Sequence, residues 1–178
     1  MGELIKQWNI IIIIIILTLS ACTQINTAVF QDFTHPEPDI YVKLMPIVRE
    51  YFYYRKGAVL SGDLATFYLR YPELEKGINL DSGINFEAHL VESLQSLHPF
   101  DGDIHPEYYE KIKVKDLRAD PQILVHGMEL YLWQDADGTF NETGGEFILV
   151  LLLQEKEDIW QIVQTNEVTL AEWKGFDL

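Results

Sequence analysis

The chain has 178 residues and very little cysteine: Cys22 is the only one. No intrachain disulfide can form, and a cysteine-built metal site or a thiol–disulfide couple is excluded, so the fold has to rest on a hydrophobic core. Positive charge is almost as scarce. Thirteen Lys and Arg face 28 Asp and Glu, which leaves a formal charge of −15 and a pI near 4.5. A polyanion lacks the basic surface that phosphates require, so nucleic acid is excluded as a partner, and anionic headgroups repel it. Long apolar runs are missing too. The longest, Ile10 to Leu17, is well short of the roughly 20 residues that span a bilayer. No internal repeat is present, no Gly-rich loop is followed by a lysine (Gly144-Gly145 is not), and no nucleophile triad can be assembled.

The short apolar run carries information of its own. It follows Lys6 and ends in Leu19-Ser20-Ala21-Cys22, with small residues just before the cysteine. This is the layout of an export signal, and the four terminal positions resemble the lipobox of bacterial lipoproteins. The resemblance implies cleavage before Cys22, a diacylglycerol on its sulfur, and a mature protein of 157 residues anchored by lipid outside the cytoplasm, on the cell membrane or the outer membrane. Residues 1–21 are then a signal peptide, 22–39 the lipidated cysteine and a tether containing His35-Pro36-Glu37-Pro38, and 40–178 a single domain of ordinary size. Phe30 and Phe33 are unusual in a tether and read as residues that pack on the domain.

Within that domain the apolar period changes once. Met45, Val48, Tyr51, Phe52 and Val59 recur at helical spacing, with Arg49, Glu50, Arg55 and Lys56 assigned to the other side. Pro46 puts the start of this helix near Leu44 or a bend there. Ser61-Gly62-Asp63 is a turn that caps a second short helix, which stops before Tyr71-Pro72. Asn85 caps a third, with Phe86, Leu90, Leu94 and Leu97 as its stripe. From Lys111 the period becomes two. An edge-like strand begins there, a long one runs from Gln122 to Trp133 with curvature or a bulge expected at Gly127, and Asp137-Gly138 and Gly144-Gly145 mark a loop. Phe147 to Leu153 is apolar on both faces, as in a central strand, and a last strand covers Ile159 to Val168. Helices followed by a curved antiparallel sheet make an α+β domain.

From Leu44 to Val168 the chain resembles the nuclear transport factor 2-like superfamily. The resemblance rests on the aromatic first helix running into Ser61-Gly62-Asp63, on Phe67 with Tyr71-Pro72 behind it, and on the final strand pair with Asp158-Ile159-Trp160-Gln161-Ile162. It implies N-terminal helices packed in a strongly curved, cone-shaped sheet. That superfamily holds isomerases, dehydratases, cyclases and many proteins without catalysis, so the fold does not choose among them. Its isomerases use carboxyl and tyrosine groups in the cone, a set that cannot be placed here residue by residue.

Candidate residues are correspondingly few. Leu124, His126, Met128, Leu130 and Leu132 share one strand face, so His126 is either a core histidine or a polar group in a pocket, while Glu129 lies on the opposite face. Tyr51 and Tyr54 could point inward from the first helix. Asp135 to Asn141 with Glu146 mimics calcium-loop spacing, but Phe140 stands where glycine is required, and a solvated hairpin is the plainer reading. Asp101, Asp103, His105 and Glu107 alternate in what Pro99 and Pro106 mark as a surface turn. No catalytic residue, metal or cofactor is assigned. The sequence reading is a lipid-anchored, non-enzymatic binding or accessory domain, with a small-molecule lyase or isomerase working in the cone as the alternative. Its contacts would be the membrane through the lipid alone, a surface or periplasmic protein or a small ligand, and a second copy through the outer sheet face.

Overall fold

The computed structural model describes residues 32–77, 85–105, 112–117, 120–156 and 159–168; Cys22, Phe30 and the segment read as an export signal lie outside them. Among the described residues four helices, α1 (Pro38–Ser61), α2 (Leu64–Arg70), α3 (Pro72–Glu75) and α4 (Phe86–Gln95), precede five strands. These are β1 (Asp101–His105), β2 (Ile112–Lys115), β3 (Gln122–Gln134), β4 (Phe140–Lys156) and β5 (Ile159–Val168). Every strand pairing is antiparallel, in the order β1-β3-β4-β5, and β2 joins the same edge of β3 at its other end. The sheet is strongly curled into a half-barrel, and α1 lies in its hollow.

α1 begins six residues earlier than Pro46 suggested. Pro38 opens it, where a missing N–H costs nothing and the fixed φ already suits a helix. Pro46 sits inside on the exposed side, so the Val42 carbonyl it cannot bond still faces water. Gly62 ends the helix at φ 74°, a left-handed value, and its N–H returns to the Ala58 carbonyl at 2.7 Å. The Asp63 side chain then caps α2 by accepting from the Thr66 N–H, and Asn85 caps α4 through the Ala88 N–H at 3.0 Å.

Three expectations for the sheet are corrected. Asp101 to His105 is a strand, not an irregular turn, because β3 is long enough to offer it an edge from Met128 to Leu132. Gly127 stays in register opposite Phe147, so of the bulge or curvature expected there the bulge is absent, and the register shift falls instead between Leu152 and Leu153 against β5. Gly144 and Gly145 do not end β4. They lie within it at φ 129° and 147°, opposite Leu130 and Glu129, where only glycine follows the bend without strain. The hairpin between β3 and β4 is the shorter Asp135–Thr139 turn, with Gly138 at φ 89° and the Asp135 and Asp137 carboxylates accepting from the Thr139 N–H.

The two faces of the curled sheet are closed by different parts of the chain. Ile123, Val125, Tyr131, Phe147, Leu149 and Leu151 turn inward onto α1 and form the main core. On the convex face Leu124 and Ile148 make a second cluster with Phe33, which is pinned there by the paired backbone bonds of Thr34 and Val114. Part of the both-face apolar run of β4 is thus covered within one chain: Phe33 packs on Ile148, with Val150 beside it. The segment read as tether is therefore tied to the sheet at Phe33 and becomes helix at Pro38.

Candidate functional site

Val48, Tyr51, Phe52, Arg55 and Val59 are buried on one side of α1, at the three- and four-residue steps that share a helix face. Arg55 thus interrupts an apolar stripe. It is 1% exposed, its guanidinium within 5.3–5.7 Å of the Phe52, Phe86 and Phe147 rings. Its Nη2 donates to Glu129 Oε2 at 3.2 Å. Glu129 comes from the inward face of β3, beside Tyr131, and both are buried. Gly102 of β1 stands opposite Tyr131, and a Cβ there would lie 2.5 Å from its ring, so glycine is what lets the tyrosine lie flat against the strand.

A second carboxyl group enters from α4. Glu87 Oε1 accepts from the Tyr51 hydroxyl at 2.5 Å and from Thr165 Oγ1 at 2.8 Å. Thr165 is two residues from Glu167 on β5, so both project to the same side of the strand. Tyr51, Arg55, Glu87, Glu129, Tyr131, Thr165 and Glu167 therefore form one polar centre inside an apolar shell, drawn from two helices and two strands.

The electrostatics of this centre follow from burial and from one cation among three carboxyl groups. Burial raises the Glu87 pKa, only partly offset by Arg55 and by the two hydroxyl donors. Burial raises Glu167 as well, against the pull of Arg55. Tyr51 and Tyr131 are pushed up by burial and then by Glu87 and Glu129 respectively, so both remain neutral phenols. Desolvation opposes the charge on Arg55, but Glu129, then Tyr51 and Glu87, outweigh it and hold the guanidinium protonated. Three groups of the centre remain unanswered among the described residues: Nε and Nη1 of Arg55 and the Tyr131 hydroxyl are buried there without a hydrogen-bond partner.

The raised Glu87 pKa predicts a pH effect. A carboxyl group that resists ionisation in the folded state contributes stability that is fully present below its unfolded pKa, about 4.3, and lost as pH rises through the folded value. Glu87→Gln keeps an oxygen to accept from Tyr51 and Thr165 and cannot ionise. Its melting temperature should match the parent near pH 4 and exceed it increasingly towards pH 8. Glu87→Ala, which orphans the Tyr51 hydroxyl, should lose about 1–3 kcal/mol at either pH. Parallel melting curves across that range check both.

The residues singled out from sequence are dispersed. Tyr51 is fully buried in the polar centre. Tyr54 is half-buried beside it in sequence but turns towards Tyr53 and Tyr71, at ring separations of 5.5 and 6.0 Å, and takes no part. His126 is buried on the convex face, paired across the sheet with Ile148, its Nε2 3.7 Å from the Glu146 carboxylate. It is not in the hollow. Among the described residues no group of three or more His, Cys, Asp or Glu is arranged to hold a metal ion. Sequence reasoning missed Arg55, Glu87, Tyr131, Thr165 and Glu167. Arg55 was legible, since it lies seven residues after Val48 on the apolar stripe; Glu87 and the β5 pair carry no such signal.

The fold and site together define an α+β domain whose curled sheet encloses a buried polar centre built around one arginine. No protein-family model matches the chain, and no curated protein or solved structure matches it significantly.

Proposed function

We propose that this is a lipid-anchored, extracytoplasmic binding or accessory domain of the nuclear transport factor 2-like type, without catalysis of its own. The observation that carries the non-catalytic reading is that two of the three carboxyl groups in the hollow are committed to neighbouring side chains. Glu87 is taken by Tyr51 and Thr165, and Glu129 by Arg55, beneath three aromatic rings. General acid–base chemistry needs a group within reach of a substrate proton, and Glu87 and Glu129 already have their partners. The anchor rests on Leu19-Ser20-Ala21-Cys22 behind an apolar run too short to span. With Phe33 tied to the sheet, ten residues separate it from Cys22, a length of chain that spans at most about 40 Å, so the domain stands close to its membrane. Two or more acyl chains suffice for stable attachment, and the acidic surface adds none.

The test is intact mass of the protein extracted from membranes. The expected species begins at Cys22 with acyl chains attached, and Cys22→Ser should abolish that species and move the domain to the soluble fraction. An unmodified N-terminus at another position would sink the anchor.

A second reading, a lyase or isomerase acting on a small molecule in the cone, is favoured by one observation. The unanswered Arg55 Nε and Nη1 and the Tyr131 hydroxyl, next to a carboxyl group that resists ionisation, would suit a ligand bearing a carbonyl or carboxylate.

A further inference from the structure

The convex face of the sheet is divided into halves of opposite character. At the end near β2, Phe33 covers Leu124 and Ile148, and the cations gather: Lys115 lies over the Phe33 ring and pairs with Asp32 at 3.3 Å. Towards the β3–β4 hairpin nothing in the described chain covers the same face. Met128 is 41% and Leu130 37% exposed, Leu132 is half-buried, and the stripe ends in Phe100 and Phe140, both exposed and meeting edge-on at 5.9 Å.

Carboxylates wall this stripe on both sides. Residues directly opposite in a ladder share a sheet face. Asp101 faces Leu132 and Asp103 faces Leu130 from β1, while Glu142 faces Leu132 and Glu146 faces Met128 from β4. Opposite Leu130 on β4 stands Gly144, which has no side chain, so the wall opens beside the most central apolar residue.

We propose that this stripe docks a cationic amphipathic segment of another protein, its apolar side on Met128, Leu130 and Leu132 and its Lys or Arg residues on the flanking carboxylates. Charge complementarity selects this occupant. A second copy of the chain would bring an equally acidic rim and a further −15 to the same contact. An anionic membrane surface is repelled in the same way, and a purely apolar partner would strip water from the exposed Asp101 and Glu142 carboxylates without answering them.

The experiment uses the full chain in nanodiscs of zwitterionic lipid, with fluorescent helical Leu–Lys and Leu–Glu peptides as probes, anisotropy as readout and empty discs as reference. The Leu–Lys peptide should bind, more weakly as salt is raised, and the Leu–Glu peptide should not. Met128→Ser with Leu130→Ser should weaken binding by about tenfold or more, and so should Asp101→Asn with Glu142→Gln. These positions are on the surface, and a melting curve verifies that each variant is folded. Two control pairs remove equivalent groups elsewhere: Val42→Ser with Leu69→Ser, and Glu92→Gln with Glu155→Gln. Both should bind as the parent does. Equal loss in the controls would reduce the effect to a polyanion attracting any cation, and absence of Leu–Lys binding would also overturn the proposal. Self-association of the parent chain that the Met128/Leu130 variant abolishes would overturn it too, in favour of a second copy on this face.

Discussion

Arg55→Met should destabilise the domain by about 3–5 kcal/mol, the cost of leaving a buried charge without its partner. The loss falls on Glu129, 8% exposed, whose carboxylate would face the Phe52, Phe86 and Phe147 rings with no cation between them. Methionine fills much of the same volume, so a cavity contributes little. The double variant Arg55→Met with Glu129→Met removes both charges and should recover most of that stability, because a buried ion pair replaced by apolar side chains of similar size is often neutral or stabilising. Urea unfolding of the parent, the two single variants and the double variant gives the coupling energy directly. If Arg55→Met alone proves neutral, Glu129 is reached by water and the closed polar centre is not as described.

Gly144→Ala should be the most damaging single-methyl change in the sheet, on the order of 3 kcal/mol, near the top of the range for a strained backbone. Two penalties act together. At φ 129° an L-residue is strained wherever there is space. Here there is none: the new Cβ would overlap the Glu129 carbonyl oxygen, with the carbonyl carbon and the Leu130 Cα next at 2.9 and 3.1 Å. Those are backbone atoms of the paired strand, so relief requires parting β3 from β4 at the residue that positions the Arg55 partner. Gly145→Ala is the internal comparison. Its φ of 147° is also unfavourable to a side chain, but nothing lies within 4 Å of its Cβ, so it should cost clearly less. Equal losses in the two variants would show that the close approach at Gly144 is not what governs this bend.

Much of the domain is legible because short-range rules act without competition. The caps at Asp63 and Asn85 fall where expected, since a side chain that accepts from an N–H three residues on needs no tertiary partner. The single change of period, from three and four residues to two, places the helices before the sheet. The errors occur where a distant element supplies the missing partner. Asp101 to His105 has the look of a turn until β3 provides thirteen residues of edge, and Gly144-Gly145 reads as punctuation until a bend in a seventeen-residue strand calls for it.

For the candidate site the division is sharper. By itself the sequence determined the α+β class, the absence of disulfides, the acidic surface, and an alternation in β3 that sets His126 and Glu129 on opposite faces. It also held Arg55 on the apolar stripe of α1, obscured by the habit of assigning arginine to solvent. Only the tertiary structure decided which face of β3 looks inward, because that depends on whether α1 or Phe33 covers it, and helix and segment are both apolar enough to do so. Once α1 takes the hollow, Glu129 becomes buried and must meet a cation, while His126 passes to the convex face with Ile148. Glu87, Thr165 and Glu167 join the centre only because the curled sheet brings β5 against α4, a contact between residues some eighty positions apart that no local pattern encodes.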